Sequence, residues 1–251
     1  MKHTIFGDLP FLPIYEYLPI VDSTNQETKT RVEQKTIQHG NVIYAGYQTK
    51  GRGLMGNEWK GNPDENLYAS LLLNTHLPCE NQFLLNQCVS LSLCDVINKY
   101  CSNTYIKWPN DIYVNGKKIA GILIESAFSG NISHQSIIGA GININQSNFY
   151  DLPNATSLLL ETAQTFVVRD VLFEFIKDLS KMLLKAVDEV NVIKMRYLEH
   201  LYMFQKTARF ESNGRVFRAE VSGVDDWGRL QLKETYQKTT YGLKEIKWLQ
   251  Q

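Results

Sequence analysis

The sequence predicts an α+β protein in which a mixed, largely antiparallel sheet packs with helices and a small all-β module follows. Three observations carry this. Runs of β-branched and aromatic residues recur from Tyr15 to Asn145. Two of them flank Asn115-Gly116, a pair that tolerates the positive φ of a tight hairpin turn. Between the runs lie longer stretches with apolar residues at three- and four-residue spacing, the signature of helices that bury one face. From Gln205 onward the pattern changes to short strands, with turns at Asn213-Gly214 and Asp226-Trp227-Gly228.

Residues 1–21 form an extended lead-in with a short strand near Tyr15 to Ile20. Asp22-Ser23-Thr24-Asn25 then starts a helix, with Glu27 three residues after Thr24 as a capping box, and the pattern carries it to Gly40. Few of its residues are apolar, so much of it faces solvent. Val42 to Gln48 reads as a strand and Lys50-Gly51-Arg52-Gly53-Leu54-Met55-Gly56 as a loop. Gly51, Gly53 and Gly56 satisfy G-x-G-x-x-G, but a dinucleotide fingerprint needs a helix to open there. Asn57 to Asp64 is loop chemistry instead, and that reading fails. What remains is a cationic loop able to aim backbone N–H groups and Arg52 at phosphate or carboxylate.

Leu67 to Asn74 is a core strand and Glu80 to Cys101 a long apolar helix. The hairpin of Asp111 to Val114 and Ile119 to Ile124 follows. Strict alternation puts Lys118 on the face of Ala120, Ile122 and Ile124, beside apolar side chains. Gly121 weakens the second strand unless something approaches its backbone closely. An edge hairpin with a snorkelling lysine and a bulge at the glycine fits the same residues. Ser136 to Asn145 is a further strand, with Gly139 and Gly141 again allowing close approach. Asn154 to Thr162 starts a short helix, Arg169 to Val190 is a packing helix, and another runs from Asn191 to about Met203.

Lys plus Arg and Asp plus Glu both number 26, so the net charge is zero. This removes the electrostatic case for nucleic acid or an anionic membrane, and no apolar run reaches membrane-span length. The amino terminus shows no signal-type core, which points to the cytoplasm. Cys79, Cys88, Cys94 and Cys101 lie in or beside one apolar helix without C-x-x-C spacing, and the histidines are scattered. Buried free thiols are expected, and no metal site.

The stretch Lys107 to Glu125, KWPNDIYVNGKKIAGILIE, resembles the central signature of the biotin protein ligase family. The likeness extends over most of the chain and is to the monofunctional type, without a DNA-binding module. It implies a class II synthetase-like catalytic domain at 1–204 and an SH3-like β-barrel at 205–251. The implied reaction uses ATP to convert biotin to biotinyl-5'-adenylate, releasing pyrophosphate, and then transfers biotin to a lysine of a biotin carboxyl carrier protein or domain. Mg²⁺ would accompany the phosphates, with no metal held by protein ligands alone.

By this resemblance Lys118 bridges the biotin carboxylate and the α-phosphate, Arg52 supplies a second cation, and Lys107 holds the leaving phosphates. Asp111 helps position or deprotonate the acceptor amine. Ser23 and Thr24, which otherwise read as helix caps, reach the ureido ring of biotin. Gln48, Gly51, Gly121 and Gly139 complete the biotin side. Asn25, Trp59, Asn110 and Asn143 join the nucleotide side, although a turn closed by Asn110 and Asp111 themselves fits equally well. The family often carries arginine or glutamine after G-R-G, where this chain has Leu54 and Met55. An apolar Leu54 cannot pair with phosphate, which implies looser retention of the adenylate unless these residues cover the site by packing. Alternative readings are a lipoate or octanoate ligase of related fold and a non-catalytic biotin or nucleotide sensor. Either a monomer or a homodimer fits.

Overall fold

Two β-rich layers and three packing helices are built from these patterns, and the computed structural model describes residues 2–150, 152–235 and 237–249. Strands β1 (Lys2–Thr4) and β2 (Gly7–Leu9) pair as a hairpin ahead of β3 (Ile14–Val21). Helix α1 (Thr24–Glu33) leads into β4 (Asn41–Gln48), and β5 (Asn66–Asn74) precedes α2 (Gln82–Asn98). Next come β6 (Thr104–Lys107), β7 (Asp111–Val114), β8 (Lys117–Ser129) and β9 (Ile132–Asn143). Helices α3 (Leu158–Thr162), α4 (Val168–Asp188) and α5 (Val190–His200) follow. The chain ends in β10 (Thr207–Ser212), β11 (Arg215–Val224), β12 (Leu230–Glu234), β13 (Gln237–Tyr241) and β14 (Lys247–Leu249).

The main sheet runs in the order β3-β4-β5-β9-β8-β7-β6, with β3 and β4 parallel and every other pair antiparallel. One face is covered by α2, α4 and α5. Helix α4 buries Leu172, Phe175, Ile176, Leu179 and Leu183 at the expected three- and four-residue spacing. Burial of each such side chain stabilises the fold by about 1.5–3 kcal/mol. The opposite face carries α1 and the glycine-rich loop, and there the packing opens into a cavity. The carboxyl-terminal strands form a separate antiparallel sheet in the order β13-β12-β11-β10-β14. Cys79, Cys88, Cys94 and Cys101 are free thiols, three of them buried.

Several expectations need correction. Helix α1 ends at Glu33 rather than Gly40, because Lys35 turns to φ 58 and the polar stretch beyond it has no apolar face to hold against the sheet. The capping box does not form. Ser23 is the N-cap with no side-chain cap bond, and Glu27 turns its carboxylate to Arg31 at 2.7 Å. The β1–β2 hairpin is too short to show alternation in the sequence.

The largest correction concerns Lys118. The Asn115-Gly116 turn forms as expected, at φ 49 and 82. However, β7 pairs Tyr113 with Lys118 and Ile112 with Ala120, leaving Ile119 as an extra residue in β8. A bulge of this kind shifts the facing of the side chains on either side of it. Lys118 therefore leaves the face of Ala120, Ile122 and Ile124. It joins Gly121 instead, where a Cβ would lie 3.4 Å from Lys118 Cε, while Ala120 and Ile122 enter the core.

Candidate active site

The cavity on the open face of the sheet measures about 280 Å³. Ser23, Thr24, Asn25, Gln48, Arg52, Trp59, Asn110, Asp111, Lys118, Gly121 and Gly139 all line it. These residues come from the start of α1, β4, the loop after β4, the start of β7, β8 and β9, so the sheet register brings them together rather than any local motif.

One end is a buried polar network. Gln48 Oε1 accepts from the Thr24 backbone N–H at 2.8 Å and from Thr24 Oγ1 at 3.2 Å. Ser70 Oγ lies 2.7 Å from Thr24 Oγ1 and donates to Asn25 Oδ1 at 2.6 Å. Ser23, Thr24 and Asn25 are each at most 4% exposed and screened from water, and these bonds hold Thr24 and Asn25 in place. Ser70 was missed in the sequence because a lone serine in an apolar strand carries no signal. A Cβ at Gly139 would sit 2.3 Å from Asn25 Oδ1, so the missing side chain makes room for this amide.

The floor is formed by the cross-strand pair Gly121 and Gly141, against which the Trp59 indole lies. A Cβ would come within 2.7 Å of the ring at Gly121 and 2.4 Å at Gly141. The close approach expected at Gly121 is thus made by the chain's own indole. Trp59 Nε1 is buried without a hydrogen-bond partner among the described residues. Lys118 Nζ lies 5.2 Å from the indole centroid and 2.7 Å from Asp111 Oδ1. Asn110 donates Nδ2 to the Ile122 carbonyl at 2.6 Å, which ties the segment ahead of β7 to β8.

Beyond Trp59 and Lys118 is a second, mainly apolar slot of about 220 Å³, with Tyr113, Asn143, Phe149, Leu152, Pro153 and Ala155 in its wall. The segment after β9 is tied directly to Lys118: its N–H donates to Asn154 O at 2.7 Å, and its carbonyl accepts from Thr156 N–H at 2.8 Å. Lys118 and Trp59 border both spaces.

Two expected residues lie elsewhere. Gly51 borders the hollow beneath the glycine-rich loop. Lys107 opens into a cleft shared with Tyr113, Tyr202, Met203 and Trp248. Its ammonium is 4.5 Å from the Tyr113 ring centroid and 3.3 Å from the Tyr113 hydroxyl. Burial lowers the Lys107 pKa and pushes that of Tyr113 up to about 12.

The carboxyl-terminal sheet also reaches the site. Leu243, Lys244, Ile246 and Trp248 form part of the main cavity wall, and Trp108 Nε1 donates to Gly228 O at 2.7 Å across the two sheets. Only the tertiary arrangement brings these residues to the cavity.

The fold is thus a mixed α+β sheet protein with a lysine–carboxylate pair where a polar cavity meets an apolar slot, the arrangement of a small-molecule-binding protein. The model of the biotin/lipoate A/B protein ligase family matches residues 17–143, and the chain belongs to that family. The bifunctional ligase/repressor BirA of Bacillus spizizenii is 28% identical over 240 residues, covering 92% of this chain and 71% of that protein. The biotin--[acetyl-CoA-carboxylase] ligase of Paracoccus denitrificans is 35% identical over 105 residues, 41% of this chain and 43% of that one. The biotin protein ligase from Aquifex aeolicus, solved in complex with biotin and ATP, has a TM-score of 0.77 at 25% identity, covering 94% of this chain and 99% of that chain.

Proposed function

We propose that this protein activates biotin as biotinyl-5'-adenylate and transfers it to a lysine of a biotin carboxyl carrier domain. The observation that carries this reading is the position of Lys118, whose ammonium borders both the polar cavity and the apolar slot. In the first step a biotin carboxylate oxygen attacks the α-phosphorus of ATP, and the bond to the β-phosphate bridging oxygen breaks to release pyrophosphate. Attack of an anion on an anion needs fixed positive charge where the two meet. Lys118 supplies it, with Asp111 holding the ammonium in place. Arg52, on its glycine-flanked loop, is the second cation, and Lys107 takes the leaving phosphates from the cleft side.

The ureido ring occupies the polar end, where Ser23, Thr24 and Gln48 present hydroxyl and amide groups. The adenine stacks in the apolar slot, with Asn143 in its wall. The polar end also favours biotin over lipoate. A ureido ring brings N–H donors and a carbonyl acceptor to these groups, whereas a dithiolane brings no comparable hydrogen-bond partner. In the second step the acceptor ε-amine attacks the acyl carbon, AMP leaves and an amide forms, with Asp111 near enough to Lys118 to take part in positioning that amine. Among the described residues no cluster of three or more His, Cys, Asp or Glu side chains is placed to hold a metal. Mg²⁺, which keeps several waters and binds mostly through substrate phosphates, would accompany the triphosphate.

Mass spectrometry of the protein incubated with biotin, ATP and Mg²⁺, without acceptor, tests the first step. A biotinyl-adenylate mass that disappears in Lys118→Ala is expected. Biotin binding without adenylate would support a sensor instead, and lipoate-dependent pyrophosphate exchange would support the lipoate reading. Adenylate found free rather than bound would show that Leu54, which lines the cavity, fails to retain it.

A further inference from the structure

We propose that Glu125 is a positioning residue that holds Arg52 back from the nucleotide phosphates until ATP displaces it, so that this carboxylate limits ATP affinity. The proposal rests on the reading of Arg52 as a phosphate ligand. Glu125 Oε2 accepts from two groups that differ in mobility. One is Asn25 Nδ2 at 2.8 Å, on a helix residue only 3% exposed. That amide is further fixed by the Leu123 carbonyl at 3.2 Å and by Ser70. The other is Arg52 Nη2 at 3.2 Å, on the glycine-flanked loop. Glu125 thus has one anchored partner and one on a flexible segment.

The charges decide how this works. The side chains of Arg52 and Glu125 are 40% and 37% exposed, so water screens the pair and it is weak. A triphosphate carries more charge and more acceptor oxygens than one carboxylate, and it wins the guanidinium. Glu125 weakens ATP binding by the strength of the contact that must be given up, without blocking it. Because the same oxygen holds Asn25, the carboxylate also connects the loop to the network of Asn25, Ser70, Thr24 and Gln48 at the polar end.

Glu125→Gln removes the charge that pairs with Arg52 and keeps an oxygen for Asn25. Equilibrium dialysis should show ATP bound about two- to fivefold more tightly, the factor an exposed ion pair is worth, with biotin affinity unchanged. In an Arg52→Ala background the same substitution should change ATP affinity by less than this. Glu125→Ala, which also takes the shorter of two acceptors from Asn25 Nδ2 and leaves the Leu123 carbonyl, should loosen biotin, with thermal unfolding checking that the fold survives. A merely structural carboxylate would move both ligands together. Unchanged or weaker ATP binding in Glu125→Gln, or equal tightening with and without Arg52, would overturn the proposal. If the wild type bound no ATP, the ligase reading and this proposal would both fall. Normal pyrophosphate exchange in the wild type, with unaltered ATP affinity in Glu125→Gln, would remove this proposal alone.

Discussion

Lys107 and Lys118 lie within one short signature, yet their surroundings are opposite. Lys118 faces the main cavity, paired with Asp111 at 2.7 Å. Lys107 faces a cleft beneath the carboxyl-terminal sheet, over Tyr113, and among the described residues no carboxylate comes within ion-pair distance of it. The difference is the local register. Lys107 is directly opposite Asp111 in the β6–β7 ladder, whereas the bulge at Ile119 turns Lys118 into the cavity. One lysine has its charge compensated before substrate arrives, and the other has an ammonium that burial disfavours. A lysine held by a carboxylate suits a reacting centre, and one without such a partner suits an anion that comes and goes.

The sharpest test of this contrast is removal of the compensated lysine. Lys118→Ala should lower the rate of biotin-dependent pyrophosphate exchange by roughly 10²–10³-fold, equivalent to about 3–4 kcal/mol of barrier, by analogy with the loss of one transition-state donor. An equal loss in Lys107→Ala would erase the distinction between the two positions.

The floor beneath Lys118 comes next. Gly141→Ala places a methyl group where the Trp59 ring lies, and overpacking of this kind costs about 1–3 kcal/mol. The expected outcome is a lower Tm with a shifted tryptophan emission. An unchanged emission would show that the indole does not depend on the glycine floor.

Lys107→Met keeps the length of the side chain and removes the buried charge. Burial holds the folded-state pKa below the ordinary 10.5, so the unfolded chain binds the proton more tightly. The resulting penalty is complete below the folded pKa, fades as pH rises from there towards 10.5 and is absent above it. Near neutral pH the variant should therefore melt higher than the wild type, with the gap narrowing in alkali, while pyrophosphate exchange slows. A lower Tm at neutral pH would mean that the contact with Tyr113 outweighs desolvation.

The smallest effect is expected far from the cations. Asn115→Ala, at φ 49 in the hairpin turn, should cost about 1 kcal/mol in a denaturant titration and leave exchange intact. A large loss of activity would mean that the turn, as well as the bulge, sets the position of Lys118.

Much of the fold was legible because it is local. The Asn115-Gly116 hairpin, the β4 and β5 strands and the apolar face of α4 each state their conformation within a few residues. The signature also marked Lys118, Asp111 and Gly121, and the glycine-rich loop marked Arg52, all of which the structure brings to one cavity. Less legible were features that depend on pairing. Alternation placed Lys118 on the wrong face because a bulge is a property of two strands, and the sequence of one strand does not show which residue will be left unpaired. The lining by Leu243, Ile246 and Trp248 depends on how two sheets dock. Ser70 and Glu125 owe their places in the network to Asn25, 45 and 100 residues away along the chain.

The sequence by itself determined which segments become strands, turns and helices, since backbone propensity and the spacing of apolar residues act over short stretches. It also determined the chemical inventory of the site, two lysines, an arginine and a set of small polar groups. Tertiary structure alone decided which of those charges share a cavity, which carboxylate restrains each of them and which lysine is left to an uncharged cleft. Electrostatic interaction depends on distance through space and on exclusion of water, and both are set only when the sheet register and the docking of the two β layers are complete.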